Sequence, residues 1–317
     1  MYKLIIALMC CASSAYACDF CGGSPAVMNT DILSLQPQSS VGTSVQYRNY
    51  KFLSSSDNVK HTQTITQNFF VSYSPKKWVD IRVSLPIMWI FNEYVKVDEN
   101  TPNLYEKKFG VSDMILFGNF RVWQRLPYGK KVGQVLNLGY GMSFPTGSKK
   151  ISENSLLQDF NFGTQTVGFL FSAAYSLSIK KWGLVNSALV KINLKNKDNV
   201  LYGNQYTYQI AANYTALVKK VSLIPLLGFG VNVQQKNVHH TILQSKSGSW
   251  NVELNCGLQC NIKGVTIAAS VSQPLAQKTS NGNILQKTGF NCFIKYLIPH
   301  KKQKIVLPME VTPTKTN

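Results

Sequence analysis

Acidic side chains are scarce in this chain of 317 residues: 14 Asp and Glu stand against 33 Lys and Arg, for a formal net charge of +19. Histidine is nearly absent. The four present, His61, His239, His240 and His300, fall in expected loops or the tail. Beyond the N-terminus there is no run of 18 or more apolar residues, which excludes a membrane-spanning helix. There is no Gly-rich phosphate loop and no nucleophile elbow, so no catalytic residue is expected and the chain reads as a non-enzyme. No continuous basic helix gathers the lysines, which argues against nucleic acid as a partner, and no cofactor is implied. Charge of either sign is sparse at 15% of residues, while 44% are hydrophobic. With abundant Tyr, Phe, Asn, Ser and Gly, that is not the composition of a disordered chain.

The N-terminus has the order of a secretory signal: Lys3, an apolar stretch from Leu4 to Cys11, and the small-x-small site Ala15-Tyr16-Ala17. A buried N-terminal helix is the competing reading. The expected organisation is a signal peptide over 1–17, a periplasmic N-terminal segment over 18–39, a barrel over 40–298 and a loose periplasmic tail over 299–317. Cleavage would leave Cys18 first, which raises lipidation as an alternative, although Ala15-Tyr16 fits a lipidation site poorly. Cys18 and Cys21 form a C-x-x-C. In an oxidising compartment its default is a local disulfide, and without a second ligand set it is weak evidence for a metal.

After Pro37 one texture takes over, in runs of 10–14 residues that alternate apolar and polar. In Trp78–Trp89, Val79, Ile81, Val83, Leu85, Ile87 and Trp89 share a face, and Asp80, Arg82, Ser84 and Pro86 share the other. Side chains alternate sides on a strand, so each run presents one apolar and one mostly polar face. The pattern predicts twelve strands, near 40–52, 62–73, 78–91, 111–124, 132–144, 164–177, 182–195, 204–217, 221–234, 249–261, 264–274 and 286–298. Short and long gaps alternate between them. Every short gap holds a lysine, as in "SPKK" (Ser74–Lys77) and "SIKK" (Ser178–Lys181).

These features predict an all-β fold, a transmembrane up-and-down antiparallel β-barrel of about twelve strands in the outer membrane of a Gram-negative cell. Such barrels have short periplasmic turns and long outer loops, and an even strand number puts both termini on the periplasmic side. The turn lysines would meet inner-leaflet phosphates, with Tyr73, Trp78, Tyr175 and Trp182 as an interfacial girdle. The expected partner is outer-membrane lipid, and association between barrels is an arrangement the sequence allows. A soluble β-sandwich or lipocalin-like barrel also alternates, but its polar face would carry many charges. Here that face is rich in Asn, Thr, Ser, Gln and Gly. Pro86 and Pro225 fall inside expected strands, where neither can donate to a ladder, so a bulge is expected at each.

Alternation places Arg48, Arg82, Arg121, Lys191 and Lys295 on the lumen side, with Asp80, Asp113 and Glu253. They read either as ion pairs that stiffen a narrow barrel or as a pore lining of net positive charge that favours anionic solutes. Gly139, Gly141, Gly228 and Gly230 would face inward and make room. Cys256, Cys260 and Cys292 would face lipid as small apolar residues. Three functions remain: passage of small solutes, a non-conducting structural or surface-interaction barrel, and a barrel-anchored metal or redox role through Cys18 and Cys21.

Several stretches carry a family resemblance. They are "CDFCGG" (Cys18–Gly23), "GVSDMILFGNFRVW" (Gly110–Trp123), "GYGMSFPTGS" (Gly139–Ser148), "DFNFGTQTVGFLFSAAYSLSIKKWGL" (Asp159–Leu184) and "NQYTYQIAANYTALVKKVSLIPLLGFG" (Asn204–Gly230). Together they resemble a family of outer-membrane β-barrels described as transporters, related in style to barrel proteins of aromatic-degradation pathways. Members share an N-terminal Cys-Asp-x-Cys-Gly-Cys. Here its third cysteine is Gly23, which puts any metal role of the motif in doubt. The resemblance implies the barrel fold and the outer-membrane address and carries over no substrate.

Overall fold

A computed structural model describes residues 38–53, 59–94, 105–125, 132–148, 162–219 and 221–299. The expected signal peptide, Cys18 and Cys21, and the tail from 300 lie outside these residues. The chain builds one closed antiparallel sheet of twelve barrel strands. They are β1 (Ser40–Phe52), β2 (Val59–Lys76), β3 (Val79–Tyr94), β4 (Tyr105–Val111 and Met114–Arg125), β5 (Val132–Phe144), β6 (Gly168–Ile179), β7 (Trp182–Asn193), β8 (Gln205–Tyr214 and Ala216–Val218), β9 (Val221–Gln234), β10 (Ser249–Ile262), β11 (Val265–Thr279) and β12 (Ile284–Gln286 and Gly289–Leu297). Each pairs with its sequence neighbours. The sheet closes where Ser40–Tyr47 of β1 register against Leu297–Phe290 of β12. In hydrocarbon an open edge would leave N–H and C=O groups unpaired at several kcal/mol each, and this seam removes it.

The faces fall as alternation predicts. Ile81, Val83, Leu85, Leu138, Tyr140, Phe171, Leu227, Phe229 and Ile294 are exposed on the outside, while Asp80, Ser84, Ser143, Ser176, Asn232 and Glu253 are buried inside. So continuous an exposed apolar surface fits contact with lipid and not with water. Trp78, Tyr73, Trp182 and Tyr296 are exposed near the short turns. Trp182 packs edge-on against Tyr214, with centroids 4.9 Å apart, and the Lys76 ammonium sits 5.5 Å from the Trp78 ring centroid. Cys256 and Cys292 are exposed and Cys260 is half-buried on this outer wall, all three as free thiols.

Several strands depart from their expected limits, most of them at the loop end. β2 begins at Val59, and β3 continues to Tyr94, where it pairs with the first half of β4. That hairpin carries Glu93, Glu106, Lys107 and Lys108, charges that break the apolar pattern yet suit a segment above the hydrocarbon. Conversely, 164–167 are not strand, because they fold inward as part of an anchored loop end.

The bulges expected at Pro86 and Pro225 are absent from the proline strands themselves. Pro86 stays in register with Asn68, and Pro225 with Leu258. The irregularity lies in the neighbouring strand. β4 is interrupted beside Pro86, whose carbonyl accepts from Ser112 N at 2.8 Å, and β8 is interrupted at Thr215 beside Pro225. A proline has no N–H to offer on that side, so its neighbour loses a ladder bond and breaks. A third proline does produce a bulge: Glu253 opposes Pro274 while Val252 opposes Ala276.

Candidate functional site: the barrel lumen

At the loop end the lumen is narrowed by an apolar cluster. Tyr50 and Phe52 of β1, Met88 and Ile90 of β3, and Ile284 of β12 project inward and pack with Phe162. Phe162 reaches them from the loop between β5 and β6, and its ring lies on the bare Cα of Gly110, where an added Cβ would sit 2.6 Å from the ring. Asp113 holds this loop in. Its carboxylate accepts from Gly147 N at 3.1 Å, and from Thr164 N and Oγ1 at 2.7 Å each. Ser148 N donates to Val111 O at 3.0 Å, and Met114 N to Thr146 Oγ1 at 2.8 Å. At the break in β4, Val111 O, the Asp113 carboxylate and Met114 N thus hold both ends of a long loop. Asp113 is fully buried in that anchor and is not a charge on an open lining.

Opposite, Ile115 and Phe117 of β4 pack with Leu170 of β6 and Leu189 of β7. Phe117 lies across Gly139 and Gly141 of β5, where a Cβ would overlap its ring. These two glycines make room, as expected. Gly228 and Gly230 also sit on the inner face, Gly228 tight against Ile210 O and Ala211.

Below the outer cluster lies a polar network. Arg48 Nη1 is 3.5 Å from Glu253 Oε1, and both side chains are buried. With its oxygen toward the guanidinium, the Gln46 amide accepts from Arg48 Nε and Nη2 at 3.1 Å each. Glu253 Oε1 also accepts from Gln286 Nε2 at 2.8 Å and Asn251 Nδ2 at 2.9 Å. Asn232 Nδ2 in turn donates to Asn251 Oδ1 at 2.9 Å. Such wiring is what a buried ion pair needs to offset its desolvation.

The remaining expected lumen residues lie at different heights. Arg82 donates from Nε to Ser72 Oγ at 2.9 Å and stacks 4.9 Å from the Phe70 centroid. Asp80 is buried and accepts from Ser74 Oγ at 2.9 Å. Lys191 and Lys295 are buried on the inner face, Lys191 with its Cε over Gly168. Arg121 sits at the short-turn end, half-exposed, and donates to Gln124 Oε1 at 2.8 Å. On the inner wall proper, Arg48, Arg82, Lys191 and Lys295 therefore stand against Asp80 and Glu253. His239 belongs to a small sheet of Val200–Leu201, Val238–His239 and Ile242–Leu243, separate from the barrel sheet, and His240 lies in its turn.

The lumen also contains a cavity of about 110 Å³ between β1 and β7–β12. Among its walls are Val185, Leu226, Gln259 and Ala268, each within five residues of a short-turn end. It therefore occupies the half of the lumen away from the apolar cluster, with Arg48 and Glu253 at its upper edge.

A closed barrel with an apolar outer wall and a hydrogen-bonded interior defines an outer-membrane β-barrel. The chain belongs to the family described as "Putative MetA-pathway of phenol degradation", whose model matches residues 79–282. Among solved structures, an outer membrane channel from Pseudomonas putida F1 is similar with a TM-score of 0.61 at 12% identity, covering 83% of this chain and 96% of that one. The β domain of the Bordetella autotransporter BrkA and the NanC porin each reach a TM-score of 0.45, at 12% and 10% identity. They cover 82% and 81% of this chain respectively, and 100% of each of theirs. No curated protein matches the sequence.

Proposed function

We propose that the protein is an outer-membrane channel for small solutes, anionic or uncharged, with the short-turn end and both termini facing the periplasm. The observation that carries this reading is the cavity of about 110 Å³ inside the closed barrel, lined by both polar and apolar side chains and lying beneath a narrow apolar mouth. A lumen serving only as a packed core would have no such space. The inner-wall charges lean positive, which disfavours cations. The family description, a pathway of phenol degradation, makes phenol one of the solutes to test.

The test is conductance of the purified full chain in planar bilayers, with solute flux into proteoliposomes. The expected result is a small conductance with chloride preferred over potassium, and a lower preference in Arg82→Gln. The competing reading is a non-conducting barrel, favoured by the two apolar clusters and the buried Arg48–Glu253 pair. Absence of both conductance and flux in correctly folded protein would establish it.

A further inference from the structure

We propose that the short-turn rim of the barrel binds acidic phospholipid headgroups in preference to zwitterionic ones. Which leaflet supplies them rests on the orientation proposed above, but the evidence for the surface is local. Lys76 and Lys77 at the β2–β3 turn, Lys180 and Lys181 at β6–β7, Lys219 at β8–β9 and Lys263 at β10–β11 are all exposed. No ion pair within the described residues involves any of them. The one described acid beside a short turn, Asp80, is buried and accepts from Ser74 Oγ at 2.9 Å. Among the described residues the positive charge of the rim is therefore unopposed, whereas the loop end mixes its lysines with Glu93, Glu106 and Asp198.

Two observations direct this charge to a lipid surface. The first is that the turns are pinned at the height of the aromatic girdle. Lys181 O accepts from Thr215 N at 2.7 Å, and Trp78 O from Arg121 N at 2.8 Å. Trp182, next in the chain to Lys181, is exposed and packs against Tyr214, and Lys76 lies over the Trp78 ring. Trp and Tyr so placed sit at headgroup level, within reach of lysine heads on their long stems. The second lies in the backbone. Lys180, Lys219 and Lys263 hold positive φ, a conformation that Gly, Asn or Asp adopts with less strain. Lysine recurs there at three successive short turns, so the side-chain charge is what those positions supply. A zwitterionic headgroup brings its own ammonium to each phosphate. Only an acidic one offers the rim a net attraction, which grows with each basic residue near the surface.

The experiment reconstitutes the full-length barrel in mixed vesicles of phosphatidylcholine and phosphatidylglycerol, one of the two carrying brominated acyl chains, and reads tryptophan quenching. Trp89→Phe and Trp250→Phe leave the emission to Trp78, Trp123 and Trp182 near the rim. Heat-modifiable mobility on gels confirms folding. Phosphatidylglycerol is expected to bind about fivefold more tightly than phosphatidylcholine at low salt. The preference should vanish in a rim variant carrying Lys→Gln at all six positions. A control variant carries Lys→Gln at Lys51, Lys195, Lys197, Lys236, Lys246 and Lys287 of the loop end. It should keep the preference within about twofold, because charges a bilayer's thickness away are screened. No preference in the unaltered rim, a preference that survives in the rim variant, or an equal fall in both variants would overturn the proposal. So would rim-dependent binding of polyglutamate without any lipid preference, which would assign the surface to an acidic polypeptide. Conductance plays no part in the readout, so a rim-dependent lipid preference in a non-conducting barrel would uphold the rim and remove the channel.

Discussion

Phe162 and Gly110 show how a single ring and a single missing Cβ shape the mouth of the lumen. The ring occupies the space a side chain at 110 would fill, so the two positions are coupled. Phe162→Ala is expected to raise single-channel conductance several-fold with no loss of folded barrel, measured in planar bilayers. Arg48 and Glu253 call for a different comparison. Removing one partner of a buried pair leaves the other charge stranded, typically at about 3–5 kcal/mol. Arg48→Met should lower the urea midpoint accordingly, and Arg48→Met with Glu253→Met should recover most of the loss. A double variant as weak as the single one would show that the wider amide network, not the pair, carries the stability. At this scale the sequence was partly readable. Alternation put Arg48 and Glu253 on the inside, but their contact joins β1 to β10. Asp113 was expected on the lining because its anchor partners, Gly147 and Thr164, are 34 and 51 residues away. Phe162 was missed altogether, since nothing periodic marks a loop residue that folds inward.

The strands were the most readable elements, because two-residue alternation between lipid and lumen is imposed along every crossing. Their ends were not, because beyond the hydrocarbon that constraint lapses. The expected strand at 111–124 is a longer one in two pieces, set by the missing N–H of Pro86 on the strand beside it. The lysine turns add a further detail. Lys180, Lys219 and Lys263 adopt positive φ values of 55°, 55° and 45°, and Gly264 follows Lys263 at 85°. Two consecutive left-handed residues make the Lys263–Gly264 connection a type I′ turn, for which Asn-Gly is the favoured pair. Lysine is therefore not there for its backbone preference. Lys263→Asn is expected to stabilise the β10–β11 hairpin by about 1 kcal/mol, read as a higher urea midpoint in neutral detergent. An unchanged or lower midpoint would argue that the turn is already relaxed.

For the whole molecule, orientation and the lipid-facing wall give the checks. An epitope inserted between Asn196 and Lys197 should be detected by antibody on intact cells, and one between Lys180 and Lys181 only after the outer membrane is permeabilised. The reverse pattern would invert the barrel. Leu138 is exposed on the outer wall midway along β5. An arginine there should cost about 2–4 kcal/mol, measured by equilibrium unfolding from lipid bilayers, whereas a protein indifferent to Leu138→Arg would not be meeting hydrocarbon at that level.

The seam between β1 and β12 has a consequence for biogenesis. Its two edges come from opposite ends of the barrel sequence, Ser40 meeting Leu297, so the cylinder cannot be completed until nearly the whole polypeptide has been delivered. Until then the nascent chain carries two raw borders and a sticky exterior, and must be escorted across the aqueous compartment. A truncation that deletes Gly289–Leu297 should consequently yield degraded or aggregated material rather than an eleven-stranded survivor, which pulse–chase labelling of the truncated and full-length chains would reveal.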